Sequence, residues 1–280
     1  YEISACLVGS EMCIRDRVGM GTAFPFLKEK NHVVSIIGGG GKTTLLYEMA
    51  GFCVKNDQKV LVTTSTHIYR PPKEWHDQSL EAVERKFRTG RAAIIGSACR
   101  DPEKLSMPET ELFEEARKKA DLTLIEADGA RHLPCKAPAE HEPALLSSSD
   151  LVIGVTGLSA LGQPLGKGCF RAERAAELLD CTMEHHITEE DLARLIASEQ
   201  GQQKDLKGRT FYAVLHQYEE KEHRAAAEKL VELLRRQGIE HVLVTCATGN
   251  RRQSGENTNP WYGRAELPVR EAEEEWEPGE

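Results

Sequence analysis

Residues 31–50, NHVVSIIGGGGKTTLLYEMA, constrain this chain more than any other stretch. Val33, Val34, Ile36 and Ile37 form a short apolar, β-branched run of the kind a buried parallel strand requires. Gly38, Gly39, Gly40 and Gly41 follow, then Lys42, Thr43 and Thr44, then Leu45, Leu46, Met49 and Ala50 at helical spacing. Strand, glycine turn, Lys-Thr and helix, in that order, predict a phosphate-binding loop. Glycines let backbone N–H groups close around phosphate oxygens, and the helix turns its positive end towards them. Lys42 is then the cation for the terminal phosphates, and the Thr43 hydroxyl a ligand for Mg²⁺. The expected ligands are ATP or GTP with Mg²⁺.

The longer form of the motif, G-x-x-x-x-G-K-[ST], would need glycine where Ile36 stands. The pattern present is shorter, G-x-x-G-K-T-T over residues 38–44, and is similar to the loop of ATP-dependent Mur-type ligases. The bland alternative is a glycine-rich turn with an incidental lysine. The flanking strand and helix weigh against it.

A chain of 280 residues can bury a substantial core. Its net charge of −9 argues against a general nucleic-acid or membrane-surface partner. No apolar run approaches the ~20 residues needed to span a bilayer. Its eight cysteines form no C-x-x-C pair and read as scattered reduced thiols of a cytoplasmic protein.

Residues 1–17, YEISACLVGSEMCIRDR, match nothing that follows and lack the pattern of a secretory signal. They resemble translated adapter sequence and are expected to be a disordered leader. Residues 249–280 carry four arginines and eight glutamates with few aliphatics, which predicts an acidic disordered tail. The nucleotide-binding domain is expected over residues 18–248.

Within that body, apolar runs alternate with helical patterns. Strands are expected at 59–64, 92–95, 121–126, 151–155, 210–215 and 241–245, besides the one before the glycines. Helices are expected at 79–88, 111–120, 172–179, 188–198 and 220–237. Such alternation predicts an α/β fold, a mainly parallel sheet with helices on both faces, like a P-loop NTPase. Ligands of such sheets bind at the carboxyl ends of the strands.

Two further strand ends therefore matter. The run Leu124-Ile125-Glu126-Ala127-Asp128-Gly129 ends in two carboxylates, as Mg²⁺ coordination beside a phosphate loop requires. Asp128 is assigned to the metal with Thr43, and Glu126 to orienting an attacking water. Asp-Gly is also common turn chemistry, which is the plainer reading. Thr63, Thr64, Ser65, Thr66 and His67 bring hydroxyls to the next strand end, either for phosphate and Mg²⁺ or as a β-favouring threonine run.

The stretches GGGGKTT (38–44), VLVTTSTHI (60–68), EADGARHLPCKAPAEHEP (126–143) and GLSALGQPL (157–165) with Phe170 and Arg171 resemble the YqeC family. The resemblance implies a P-loop nucleotide-binding accessory protein in maturation of a selenium-dependent molybdenum hydroxylase. That enzyme or its cofactor becomes the expected partner.

Residues 126–143 place Arg131, His132, Lys136, Glu140, His141 and Glu142 in a loop broken by three prolines. A rigid charged loop there suits contact with a substrate or a transferring phosphoryl group. Lys136 or Arg131 would neutralise developing charge. His141 is either a metal ligand or a solvated loop histidine, and Cys135 is expected to be inert. Arg171 opens a helix against its dipole, which favours a phosphate role. Where GTPases carry Asn-Lys/Gln-x-Asp, this chain has His216-Gln217-Tyr218-Glu219, which puts guanine specificity in doubt. Three functions remain open: a nucleotide hydrolase, an ATP-dependent ligase or kinase, and a nucleotide-gated chaperone.

Overall fold

The computed structural model describes residues 5–6, 19–218 and 220–245. The chain enters the sheet at β1 (His32–Gly38), and the glycine turn leads into α1 (Lys42–Lys55). Then come β2 (Val60–Thr64), a short β3 (His76–Asp77), α2 (Leu80–Arg88) and β4 (Ala93–Ile95). After them lie α3 (Thr110–Lys119), β5 (Leu122–Glu126) and β6 (Leu151–Gly157). The chain continues with α4 (Ala172–Leu179), α5 (Glu189–Ala197), β7 (Thr210–His216), α6 (Glu220–Arg236) and β8 (His241–Thr245).

These eight strands are all parallel, in the order β8-β7-β6-β1-β5-β2-β4-β3. The fold is α/β and consistent with a P-loop NTPase-like architecture, as the alternation of strand and helix patterns predicts. Ala5–Cys6, inside the expected leader, pairs antiparallel with β8. Apart from those two residues, the expected disorder of 1–17 and 249–280 lies outside the described residues.

Alternation along β1 builds two cores. Val33 and Ile37 face one side, with Ile125, Val152 and Leu215, against buried residues of α2 to α6. Val34 and Ile36 face the other, with Leu124, Ile153 and Val214, against α1 and the segment from Met20 to Leu27. Successive strand residues point to opposite faces, so a strand covered on both must be apolar throughout. Leu45, Leu46 and Met49 of α1 are fully buried, and each such side chain contributes about 1.5–3 kcal/mol.

Helix starts follow their caps. Thr188 Oγ1 accepts from the Asp191 N–H while the Asp191 carboxylate accepts from the Thr188 N–H, which fixes the first turn of α5. The Ser79 side chain likewise accepts from the Ala82 N–H at the start of α2.

Among the described residues, two accessory sheets lie outside the main one. Cys135–Lys136 pairs in parallel with Cys169–Phe170, joining the loops that follow β5 and β6. His67–Tyr69, Lys104–Ser106 and Ser97–Ala98 form an antiparallel trio. β1 lies between β5 and β6, and the strand order turns there. The crevice at their carboxyl ends is the place where such sheets hold ligands.

Candidate functional site

The glycine turn is held by its neighbours rather than by itself. The Gly38 N–H donates to Asp128 Oδ2 at 2.9 Å, Gly39 to the Val155 carbonyl at 2.9 Å, and Gly40 to the Leu133 carbonyl at 3.0 Å. Gly41 caps α1 with φ of 120°, where a side chain is strained, and a Cβ there would lie 2.2 Å from His216 Cδ2. Only glycine lets the backbone pass this close to β7. No side chain caps α1, so its first-turn N–H groups, which no helix satisfies internally, open towards the crevice. Thr44 stands in that first turn.

Lys42 is 5% exposed. Its Nζ donates to the Gly38 carbonyl at 2.7 Å and lies 3.2 Å from Asp128 Oδ1. Thr43 Oγ1 donates to Glu126 Oε2 at 2.7 Å. The sequence leads one to expect Thr43 and Asp128 at a metal; in the structure the Thr43 hydroxyl bonds to Glu126, and Asp128 lies between Lys42 and Lys136. The reason is local. Glu126 is the last residue of β5, opposite Ile36 of β1, whereas Asp128 lies beyond the strand end, under the glycine turn.

Burial pushes the Glu126 carboxyl above its ordinary range, against the opposing pull of Lys42 and the Thr43 hydrogen bond. A carboxylate that burial disfavours, beside a hydroxyl, is a donor set of hard oxygens suited to Mg²⁺, with phosphate oxygens completing the shell. Asp128 Oδ1 makes no hydrogen bond among the described residues, although Lys42 lies 3.2 Å from it. The residues fit the ion. Among the described residues, no group of three or more His, Cys, Asp or Glu is placed to hold a metal. His141 is exposed in its loop.

Behind Asp128 runs a chain of alternating charges that sequence order hides. Lys136 lies 3.1 Å from Asp128 Oδ2 and 2.8 Å from Glu142 Oε2, and donates to the Gly129 carbonyl at 2.6 Å. Glu142 in turn meets Arg171 at 3.1 Å. Burial raises the Glu142 carboxyl, but Lys136 and Arg171 outweigh it and hold the group below its usual range. Lys204 donates to the carbonyls of Ala139, Glu140 and Glu142, fixing that turn.

The structure also places the hydroxyls of the second strand end and Cys135. Thr63, Thr64 and Ser65 donate to the carbonyls of Ile95, Glu126 and Ala144, knitting strand ends together; the buried Thr66 hydroxyl has no hydrogen-bond partner among the described residues. Cys135 is a buried free thiol, raised well above the ordinary value by a hydrogen bond with the Cys169 thiol and by burial, as suits an inert cysteine.

His216 was legible only as a missing asparagine. It is 1% exposed, Nδ1 against Thr245 Oγ1 at 2.7 Å, and burial lowers its pKa to about 4. The folded state thus keeps it neutral while the unfolded chain protonates near 6.5, so stability falls as pH drops through that window. Between pH 6.5 and 4.5 the loss attributable to it is about 2 kcal/mol. Urea denaturation at both pH values should show a flatter dependence for His216→Gln. Parallel dependences would mean that the ring titrates normally.

The comparisons with known proteins agree with one another. The family model described as YqeC protein matches residues 34–173. The chain is 30% identical over 224 residues to "Uncharacterized protein YqeC" of Escherichia coli (strain K12), which covers 75% of this chain and 85% of that protein. The matched residues include the glycine turn, both strand-end carboxylates, Lys136, Glu142 and Arg171.

Proposed function

The chain belongs to the YqeC family, and from that premise we propose a Mg²⁺-dependent P-loop nucleotide hydrolase acting in the cytoplasm. It would assist maturation, or selenium-cofactor insertion, of a selenium-dependent molybdenum hydroxylase. The observation that carries the nucleotide part is the Thr43 hydroxyl on Glu126, at 2.7 Å, beside a glycine turn whose lysine lies on Asp128. The pathway part rests on the resemblance of residues 38–44, 60–68, 126–143 and 157–165 to the family. No helix among the described residues is long and apolar enough to cross a membrane.

In this reading the backbone N–H groups of Gly41 to Thr44 hold the phosphates, and Lys42 leaves the Gly38 carbonyl for the terminal one. Bound Mg²⁺ would offset the charge of the phosphate oxygens. Thr43 and Glu126 would hold that ion, so the carboxylates exchange the roles their order suggested. Asp128 would orient Lys42, and Lys136, with Glu142 and Arg171 behind it, would keep Asp128 in place.

Glu126→Gln should therefore abolish the gain in nucleotide affinity that Mg²⁺ brings, leaving metal-free binding nearly unchanged. Asp128→Asn should keep the Mg²⁺ response and lose turnover instead. Titrations of ATP and GTP with and without Mg²⁺, plus phosphate release, separate the two. Absence of binding to both nucleotides in the parent protein would end this reading. Turnover only with a small acceptor would make the protein a ligase or kinase. Stoichiometric binding to the hydroxylase with little turnover would make it a nucleotide-gated chaperone.

A further inference from the structure

The chain of alternating charges does not end in balance. From Lys42 it runs through Asp128, Lys136 and Glu142 to Arg171. Arg171 Cζ lies 4.6 Å from the centroid of the Phe170 ring, and Arg131 Cζ lies 5.3 Å from the same centroid. Lys136 Nζ is 5.6 Å from it. One half-buried ring thus collects three cations, of which Lys136 and Arg171 have Glu142 for company. Among the described residues no carboxylate pairs with Arg131, which is exposed. A ring face attracts cations by about 0.5–1 kcal/mol at exposed sites, and it neutralises none of their charge.

Both arginines are also held in left-handed backbone conformations, with φ of 47° for Arg131 and 59° for Arg171. Residues with a Cβ pay roughly 1–2 kcal/mol there, and such conformations gather where a side chain must be aimed. Arg131 belongs to the loop after β5, and Arg171 to the segment after β6. The Cys135–Lys136 and Cys169–Phe170 pairing locks the two together.

We propose that Arg131 and Arg171, gathered on the Phe170 ring, dock an oxyanion (a phosphate or carboxylate group) of a second ligand beside the nucleotide. Guanidinium offers paired N–H donors that match such groups, and two of them on one apolar ring make a fork with a hydrophobic floor. An anion there continues the alternation that starts at Lys42. The second ligand is then a small molecule with at least one phosphate or carboxylate and an apolar or planar part to lie on Phe170. This inference depends on the nucleotide reading only for what lies next to the fork.

The test uses inorganic phosphate and acetate as probes, titrated by calorimetry. One arm fills the glycine loop with a non-hydrolysable Mg-triphosphate; the other uses Lys42→Ala protein without nucleotide. Binding of either probe should appear in both arms and weaken at least tenfold in Arg131→Gln and in Arg171→Gln. Phosphate alone or acetate alone would tell which oxyanion the fork prefers. Unchanged probe binding in Arg131→Gln, or no binding in either arm, overturns the proposal. A large fall in triphosphate affinity in Arg131→Gln overturns it too, because the arginine would then serve the nucleotide itself. If the parent binds no nucleotide at all, the Lys42→Ala arm still reads the fork, so the two readings fail separately. Circular dichroism of Arg131→Gln, whose side chain is exposed, confirms that any loss is local.

Discussion

Lys42→Ala is expected to weaken Mg-ATP and Mg-GTP binding on the order of a hundredfold while the chain still folds. The ammonium lies at the head of α1, within reach of Gly38 and Asp128, and these are contacts it can exchange for a phosphate. Hydrogen bonds to charged groups contribute about 1.5–3 kcal/mol each, and 1.4 kcal/mol is tenfold in affinity. The fold survives because Asp128 keeps two partners, Lys136 at 3.1 Å and the Gly38 N–H at 2.9 Å. Calorimetric titration with each nucleotide reads the effect directly. Affinities equal to those of the parent would remove the phosphate-loop reading altogether.

Lys136→Met should instead damage the fold, by up to about 3–5 kcal/mol, because it takes the shared cation away from two buried carboxylates. Lys136, Asp128 and Glu142 are 2%, 2% and 6% exposed, so water screens little of the loss. Asp128 would retain Lys42, and Glu142 would retain Arg171. Adding Glu142→Gln to the lysine variant should recover part of the stability, since it removes one of the two carboxylates that lost the lysine. Urea denaturation of both single variants and the double variant closes the cycle. Strict additivity would show that the lysine and the glutamate are not coupled, whatever their separation of 2.8 Å suggests.

Strand and helix positions were legible because the sheet is parallel and covered on both faces. Such strands read as unbroken apolar runs, and 241–245 and 172–179 are read without error while most other boundaries shift by a residue or so. Glu126 and Asp128 were legible as a pair at a strand end, but their separate partners, Thr43 for one and two lysines for the other, were not. That difference in partners depends on where β5 stops relative to β1, a matter of register between strands far apart in sequence. Glu142 stood in a stretch already singled out, yet nothing in one dimension says that it meets both Lys136 and Arg171. Phe170 carried even less signal, since a lone aromatic beside an arginine is ordinary. His216 shows the converse: its substitution for asparagine was visible, but not that its ring lies against the backbone of Gly41.

The way the glycine turn is tied down has a consequence for how the protein is made. Its N–H groups bond to Leu133 and Val155, and Pro134 accepts in turn from Gly157. The cradle is thus assembled from three stretches, the last of them more than a hundred residues downstream of the first. At ~5–20 residues per second, a ribosome delivers the glycines on the order of ten seconds before their anchors. Through that interval the nascent segment carries the whole recognisable motif, yet it lacks the shape the motif needs. Under the phosphate-loop reading, nucleotide would not template the early part of the chain; it would reward a sheet whose centre has already closed.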